Sequence, residues 1–290
     1  MYLKILQRTV MKRKPFSRRA TPHAAPKAFG LWLYGLHAVR AALGNPQRVI
    51  KRTVLTERAA ADLGLLGRAG WEAMESAAVG RLLPAGSVHQ GAAVFCLPLP
   101  DRDLRLLLAE PSEGSRLILV LDQITDPHNV GAILRSAAAF GATAVIVQTR
   151  HAPAESGLLA KAASGALDII PYVSVVNIAR TLKELGNAGF WRIALAGDGE
   201  QPLDEARSDR DTVLVLGSEG AGLRQLVRER CDVGAYIPIA SRQVETPLVS
   251  TGMESLNVSN AAAVALYELT RDTGYRRNAT AYSRIRERGQ

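Results

Sequence analysis

Three short stretches place polar residues where apolar runs give way to helices. The first follows the run Leu117–Leu121 and reads Asp126-Pro127-His128-Asn129-Val130-Gly131, continuing to Arg135. Asn129 has the side chain of a helix N-cap. Val130, Ile133, Leu134 and Ala137 recur at helical spacing as a core-facing stripe. Arg135 falls off that stripe. Helical side chains lean towards the N-terminus, so Arg135 is expected over Gly131, near the mouth of the helix and beside Asn129. A capped helix carrying a solvated arginine is the plainer alternative.

The second stretch is Leu216-Gly217-Ser218-Glu219-Gly220-Ala221-Gly222-Leu223, a strand running through a glycine-rich turn into a helix. Backbone can approach a ligand closely at such a turn. It contains no GxGxxG, no Gly-Lys-Ser/Thr and no GxSxG. Glu219 would repel a phosphate, so a cationic or hydroxyl-bearing ligand fits better, with a simple tight turn as the alternative. The third stretch is Ile237-Pro238-Ile239, then a long connection, then Ser255-Leu256-Asn257-Val258-Ser259 ahead of an alanine-rich helix. Ser259 is the expected N-cap, which leaves the alternation of Ser255, Leu256 and Asn257 unexplained.

These stretches need a frame. Strands are expected at 117–121, 144–147, 169–173, 191–196, 212–216 and 235–239, with helices at 130–140, 158–163, 178–185, 223–229 and 260–270. Apolar strands alternating with helices predict an α/β fold with a mostly parallel sheet covered on both faces. Ligands of such sheets collect beyond the carboxyl ends of the strands. A smaller α/β unit is expected over 31–98, with strands at 31–34, 52–55 and 92–97. Its helices are expected at 36–43, from a Thr56 cap to Leu66, and over Trp71–Ala78. A linker over 99–115 carries the amphipathic stretch Leu104–Leu108.

The net charge of +9 is unevenly spread. Residues 1–30 carry eight Lys/Arg and no acid, 271–290 carry +4, and the body between is slightly acidic at −3. Basic arms on such a body suit a polyanion, through release of condensed counterions; solvated tails are the alternative reading. No apolar run approaches the roughly 18 residues needed to span a membrane. Cys96 and Cys231 lack metal or redox spacing, which makes a reducing compartment the default and a metal site unexpected. A bacterial cytoplasmic protein is expected. An acid-free, arginine-rich start also fits a mitochondrial transit peptide, and Met11 is an alternative start.

Taken together, the three stretches resemble the motifs of the SpoU/TrmH family of RNA ribose 2′-O-methyltransferases. Asp126–Gly131 with Arg135 is similar to its first motif, Leu216–Leu223 to its second, and Ile237-Pro238 with Ser255–Ser259 to its third. Lys161 with Ser164-Gly165-Ala166 matches an intermediate stretch. The unit 31–98, with Tyr34-Gly35 and His89-Gln90-Gly91, resembles the ribosomal-protein-like RNA-binding domain of many members. The bacterial enzymes acting on a guanosine of 23S ribosomal RNA look most similar. A transfer-RNA enzyme and a non-catalytic ribosome-assembly factor on the same scaffold remain the other readings.

Composition reads residues 1–30 as a disordered basic tail and 273–290 as a second basic tail; the resemblance implies an RNA substrate-binding domain at 31–98 and a methyltransferase domain at 116–272. It implies a trefoil knot in the sheet and a homodimer whose partner subunit helps complete the site. S-adenosylmethionine is the implied cofactor, held by Leu216, Gly217, Ile237, Pro238, Ser255 and Leu256. Arg135, Asn129, Glu219 and Asn257 are the implied catalytic positions. A 2′-hydroxyl target excludes DNA as substrate. The connection 239–253 is longer than the family's usual link; a lid, an RNA contact and a neutral insertion are equally open.

Overall fold

The computed structural model of this chain describes residues 30–112, 114–239 and 255–271. The two tails and most of the connection 239–253 lie outside them. The chain first builds β1 (Leu31–Tyr34), α1 (Leu36–Gly44), β2 (Ile50–Leu55), α2 (Glu57–Asp62), β3 (Glu72–Ala73), α3 (Ser76–Arg81) and β4 (Ala92–Cys96). These strands form a small sheet in the order β1-β4-β2-β3, antiparallel except between β2 and β3. Thr56 caps α2 as expected, its hydroxyl accepting from the Ala59 amide at 3.2 Å. Trp71–Ala78 is not one helix. The Trp71 indole donates to the Leu65 carbonyl, and the chain then pairs along the free edge of β2 as β3, delaying α3 to Ser76.

After α4 (Leu104–Ala109) comes the larger layer: β5 (Leu117–Asp122), α5 (Pro127–Ala139), β6 (Ala144–Gln148), α6 (Gly157–Ala162) and a 3₁₀ turn at Ala166–Asp168. It continues through β7 (Tyr172–Val175), α7 (Ile178–Asn187), β8 (Trp191–Leu195), β9 (Gln201–Pro202), β10 (Thr212–Gly217), α8 (Gln225–Arg228), β11 (Val233–Tyr236) and α9 (Val258–Thr270). Its strand order is β7-β6-β5-β10-β8-β11-β9, with every neighbouring pair parallel. Alternation along β5 builds two cores. Leu117, Leu119 and Leu121 pack with α5, α6, α9 and the small unit, while Ile118 and Val120 pack with α4, α7 and α8.

Several boundaries differ from expectation for local reasons. The strand expected from Ile169 starts at Tyr172, because the 3₁₀ turn turns Ile170 into the core first. β11 ends at Tyr236, before Ile237; Pro238 has no N–H to continue a ladder. Asp126, not Asn129, caps α5: its carboxylate accepts from the His128 amide at 3.0 Å, and Pro127 takes the first helical position, where its missing N–H costs nothing. Asn257, not Ser259, caps α9. Gly131 is buried against α6, and a Cβ there would stand 2.4 Å from the Ala162 Cβ and 2.9 Å from its carbonyl carbon. Glycine at 131 therefore permits close packing of α5 on α6 rather than room for Arg135.

Candidate functional site

The carboxyl ends of β5, β10, β8 and β11 point the same way, and the three motif stretches leave from that edge. The glycine-rich stretch folds back on itself, with paired hydrogen bonds between Ser218 and Gly222 of 3.1 and 2.9 Å. Gly217 is pressed under this turn: a Cβ would lie 2.3 Å from the Gly222 carbonyl carbon. The turn presents Glu219 outward. Its Oε1 accepts from Asn257 Nδ2 at 2.6 Å, Asn129 Nδ2 at 3.3 Å and the Val258 amide at 3.2 Å. Asn257 Nδ2 also donates to Asn129 Oδ1 at 3.1 Å. One residue from each motif thus meets at a single carboxylate oxygen, although 90 and 128 positions separate Asn129 from its two partners.

Asn257 does two things at once. Its Oδ1 accepts from the amides of Ser259 and Asn260 and from the Ser259 hydroxyl, closing the first turn of α9. Its Nδ2 is thereby aimed at Glu219 and Asn129. The alternating Ser255-Leu256-Asn257 pattern has this explanation: the polar group of Asn257 is fixed by the helix it starts.

Behind the junction lies a cavity of about 780 Å³. Leu195, Leu216, Ile237 and Leu256 supply its apolar wall, and the backbone of 217–222 with Ser255 forms its rim. Five of the six residues expected at the cofactor line it; Pro238 is exposed and does not. Glu219 and Asp198 bring carboxylates to the same space, and Arg228 donates to Asp198 at 2.5 Å. This size and this mixture of apolar wall and few polar groups are usual for a small-molecule site.

Arg135 is not part of the junction. It is exposed, and no hydrogen bond or ion pair joins it to another described residue. At 100° per residue, Asn129 and Arg135 leave α5 about 120° apart, and no hydrogen bond joins them.

Two residues that sequence reasoning missed hold the site's base. Asp122 is fully buried at the end of β5 and accepts from the Arg224 amide at 3.1 Å and Nε at 2.9 Å. Arg224 also donates to Gln148 Oε1 at 3.0 Å, so the exit of the glycine-rich turn is tied to β5 and β6. An acid closing an otherwise apolar strand was the available signal. Burial pushes the Cys96 thiol up to about 11 and the Cys231 thiol up to about 12, which disfavours their thiolates. Among the described residues, no cluster of His, Cys, Asp and Glu suits a metal ion, and no helix is long and apolar enough to cross a membrane.

Comparison with known proteins identifies the family. The SpoU rRNA Methylase family matches residues 116–267. A 23S rRNA (guanosine-2′-O-)-methyltransferase, RlmB, of Pseudomonas aeruginosa is 37% identical over 253 residues, covering 82% of this chain and 95% of that protein. The structure of a TrmH-family protein from Porphyromonas gingivalis superposes with a TM-score of 0.65 at 26% identity, covering 84% of this chain and 90% of that one. The SpoU methyltransferase AviRb from Streptomyces viridochromogenes, solved with AdoMet, shares the fold at a TM-score of 0.67 and 23% identity, covering 83% and 89%. With a match over more than half its length and a relative aligned nearly end to end, this chain belongs to the SpoU rRNA methylase family.

Proposed function

We infer that this protein transfers a methyl group from S-adenosylmethionine to a ribose 2′-hydroxyl of 23S ribosomal RNA, at a guanosine. The observation that carries this reading is the Asn129–Glu219–Asn257 junction beside the cavity at the strand ends. The cavity fits the cofactor chemically. Leu195, Leu216, Ile237 and Leu256 would hold an adenine and thioether chain, and backbone groups of 217–222 can hydrogen-bond its polar edges. Asp198 and Glu219 suit hydroxyls and positive charge. When bound, the cofactor supplies an electrophilic methyl on a sulfonium. The family relationship and the P. aeruginosa relative support the same reaction class.

The chain's own residues then orient and stabilise. Asn129 and Asn257 fix Glu219 Oε1, leaving its second oxygen for a ligand. A ribose hydroxyl must lose its proton to become a useful nucleophile. With a pKa above about 12, the Arg135 guanidinium is suited to holding the developing alkoxide or a neighbouring phosphate rather than removing that proton. Its exposure, with no bond to another described residue, supports a site completed by a second subunit. The exposed Val264 and Tyr267 of α9 supply apolar surface for such a homodimer.

A trefoil knot belongs to the same reading. Its support is a strand order that places β10 and β8 between β5 and β11, while α9 returns to pack on α5. The small unit 31–98 is read as the RNA substrate-binding domain and 116–272 as the methyltransferase domain, working in the bacterial cytoplasm where ribosomal RNA is. Labelled S-adenosylmethionine offered with protein-free 23S ribosomal RNA and with bulk transfer RNA tests the substrate. Incorporation into the former alone is expected; incorporation into transfer RNA alone would overturn the assignment.

A further inference from the structure

Between the two sheets lies a second polar cluster that the reaction does not use. Arg48, in the turn between α1 and β2, has a completely buried side chain. Its Nε donates to Asp168 Oδ1 at 2.8 Å, and its Nη1 is paired with Glu155 and donates to the Leu97 carbonyl at 3.2 Å. Asn45 Nδ2 donates to the same Asp168 oxygen at 3.0 Å. Glu155 Oε2 in turn accepts from the Leu99 amide at 3.0 Å, and Arg102 donates to Gln47 at 2.9 Å, so the linker is fastened to the cluster as well. Glu155 precedes α6, and Asp168 closes the 3₁₀ turn. The bonds therefore span sequence separations of 107 to 123 residues and join the small unit to the large one.

Burial by itself would lower the Arg48 pKa, but the hydrogen bonds and charges of Asp168 and Glu155 hold it above its ordinary value. Even so the cluster is imperfect: Arg48 Nη2 and Asp168 Oδ2 are buried with no hydrogen-bond partner among the described residues. Apolar side chains would fill this space at less cost, so the cluster contributes a specified geometry more than cohesion. The interface around it is tight. A Cβ on Gly157, at the start of α6, would stand 2.4 Å from the Trp32 carbonyl oxygen of β1. The other side of α6 packs on α5 through Gly131 and Ala162. A continuous path of packed elements thus runs from the small unit through α6 to the helix bearing Arg135.

We propose that Arg48 is a positioning residue: with Glu155 and Asp168 it locks the small unit in one orientation, so that RNA held there is presented in register to the α5 face. This rests on the small unit binding the RNA substrate. Two modules held rigidly on one ligand act at high effective concentration, and loosening one lowers apparent affinity without touching chemistry.

The test compares wild type with Arg48→Met, and with Asp168→Asn as a milder variant in case the first fails to fold. Arg48→Lys serves as the conservative rescue. Limited proteolysis across residues 98–103 and small-angle scattering read the orientation of the units, independently of RNA. Methyl transfer to 23S ribosomal RNA gives KM and kcat, and calorimetry gives the Kd for S-adenosylmethionine. The variants should be cleaved faster in the linker and show a larger radius of gyration. KM should rise about tenfold with kcat and cofactor Kd within twofold, and Arg48→Lys should recover part of the loss. Unchanged cleavage and unchanged KM would overturn the proposal, as would a fall in kcat alone. Inactive wild type would instead sink the functional reading, and the proteolysis and scattering would then decide the lock on their own.

Discussion

Arg48 and Arg135 carry the same guanidinium in opposite settings. Arg48 lies at the seam between the two units, buried, ion-paired to Glu155 and Asp168 and bonded to the Leu97 carbonyl. Arg135 stands on the exposed side of α5 with no partner among the described residues. The polar groups near each follow suit. At the seam, the carboxylates are turned onto Arg48, Asn45 and the linker, with only Arg48 Nη2 and Asp168 Oδ2 left over among the described residues. At the strand-end junction, three donors crowd onto Glu219 Oε1 while the remaining groups face open space. A charge surrounded by its own protein's partners fixes geometry, whereas a charge left in solvent is available to a substrate.

That contrast is easiest to break at the seam. Removing one partner of a buried ion cluster strands the others, so Arg48→Met should cost roughly 3–5 kcal/mol in chemical denaturation. A loss under 1 kcal/mol would mean the cluster is well hydrated and holds little. The next largest effect is expected where the two regions touch. Gly131→Ala places a methyl against Ala162 and its backbone, forcing α5 from α6 at about 1–3 kcal/mol. The thermal midpoint should fall together with methyl-transfer activity; a neutral outcome would show that α5 can shift freely. Smallest in stability is Asn257→Ala, which removes the α9 cap for about 1 kcal/mol. Activity should fall by more than that stability loss explains, because Glu219 loses its 2.6 Å donor. Stability and activity falling in parallel would reduce Asn257 to a cap.

The sequence carried the large parallel layer and the gathering of its motifs, for a physical reason. Uninterrupted apolar runs such as Leu117–Leu121 mark strands buried on both faces, and parallel strands send their following loops to one edge. Asn129 lies in the first turn of the helix that follows such a run, Glu219 just beyond a run and Asn257 at the start of a helix, so their convergence follows from topology. What stayed hidden depends on contacts far apart in the chain. Arg48 sits in a Pro-containing turn and Asp168 on a three-residue 3₁₀ turn, and neither has a periodic pattern to flag the other. Trp71–Ala78 has helical composition, but an open edge on β2 and an indole hydrogen bond decide otherwise. Competing caps misled locally: Asp126 with Pro127 outranks Asn129, and Asn257 outranks Ser259 because Glu219 holds it in place.

The central claim, that the exposed arginine of α5 serves ribose methylation, is tested most directly by mapping the product. Ribosomal RNA incubated with labelled S-adenosylmethionine and either wild type or Arg135→Ala would be cleaved with alkali, and the resistant linkage located. The account predicts one resistant 2′-O-methyl position with wild type. With the variant, the rate should fall at least ~100-fold while its stability stays within about 0.5 kcal/mol. A label that remains alkali-sensitive, or full activity in a correctly folded Arg135→Ala, would contradict it.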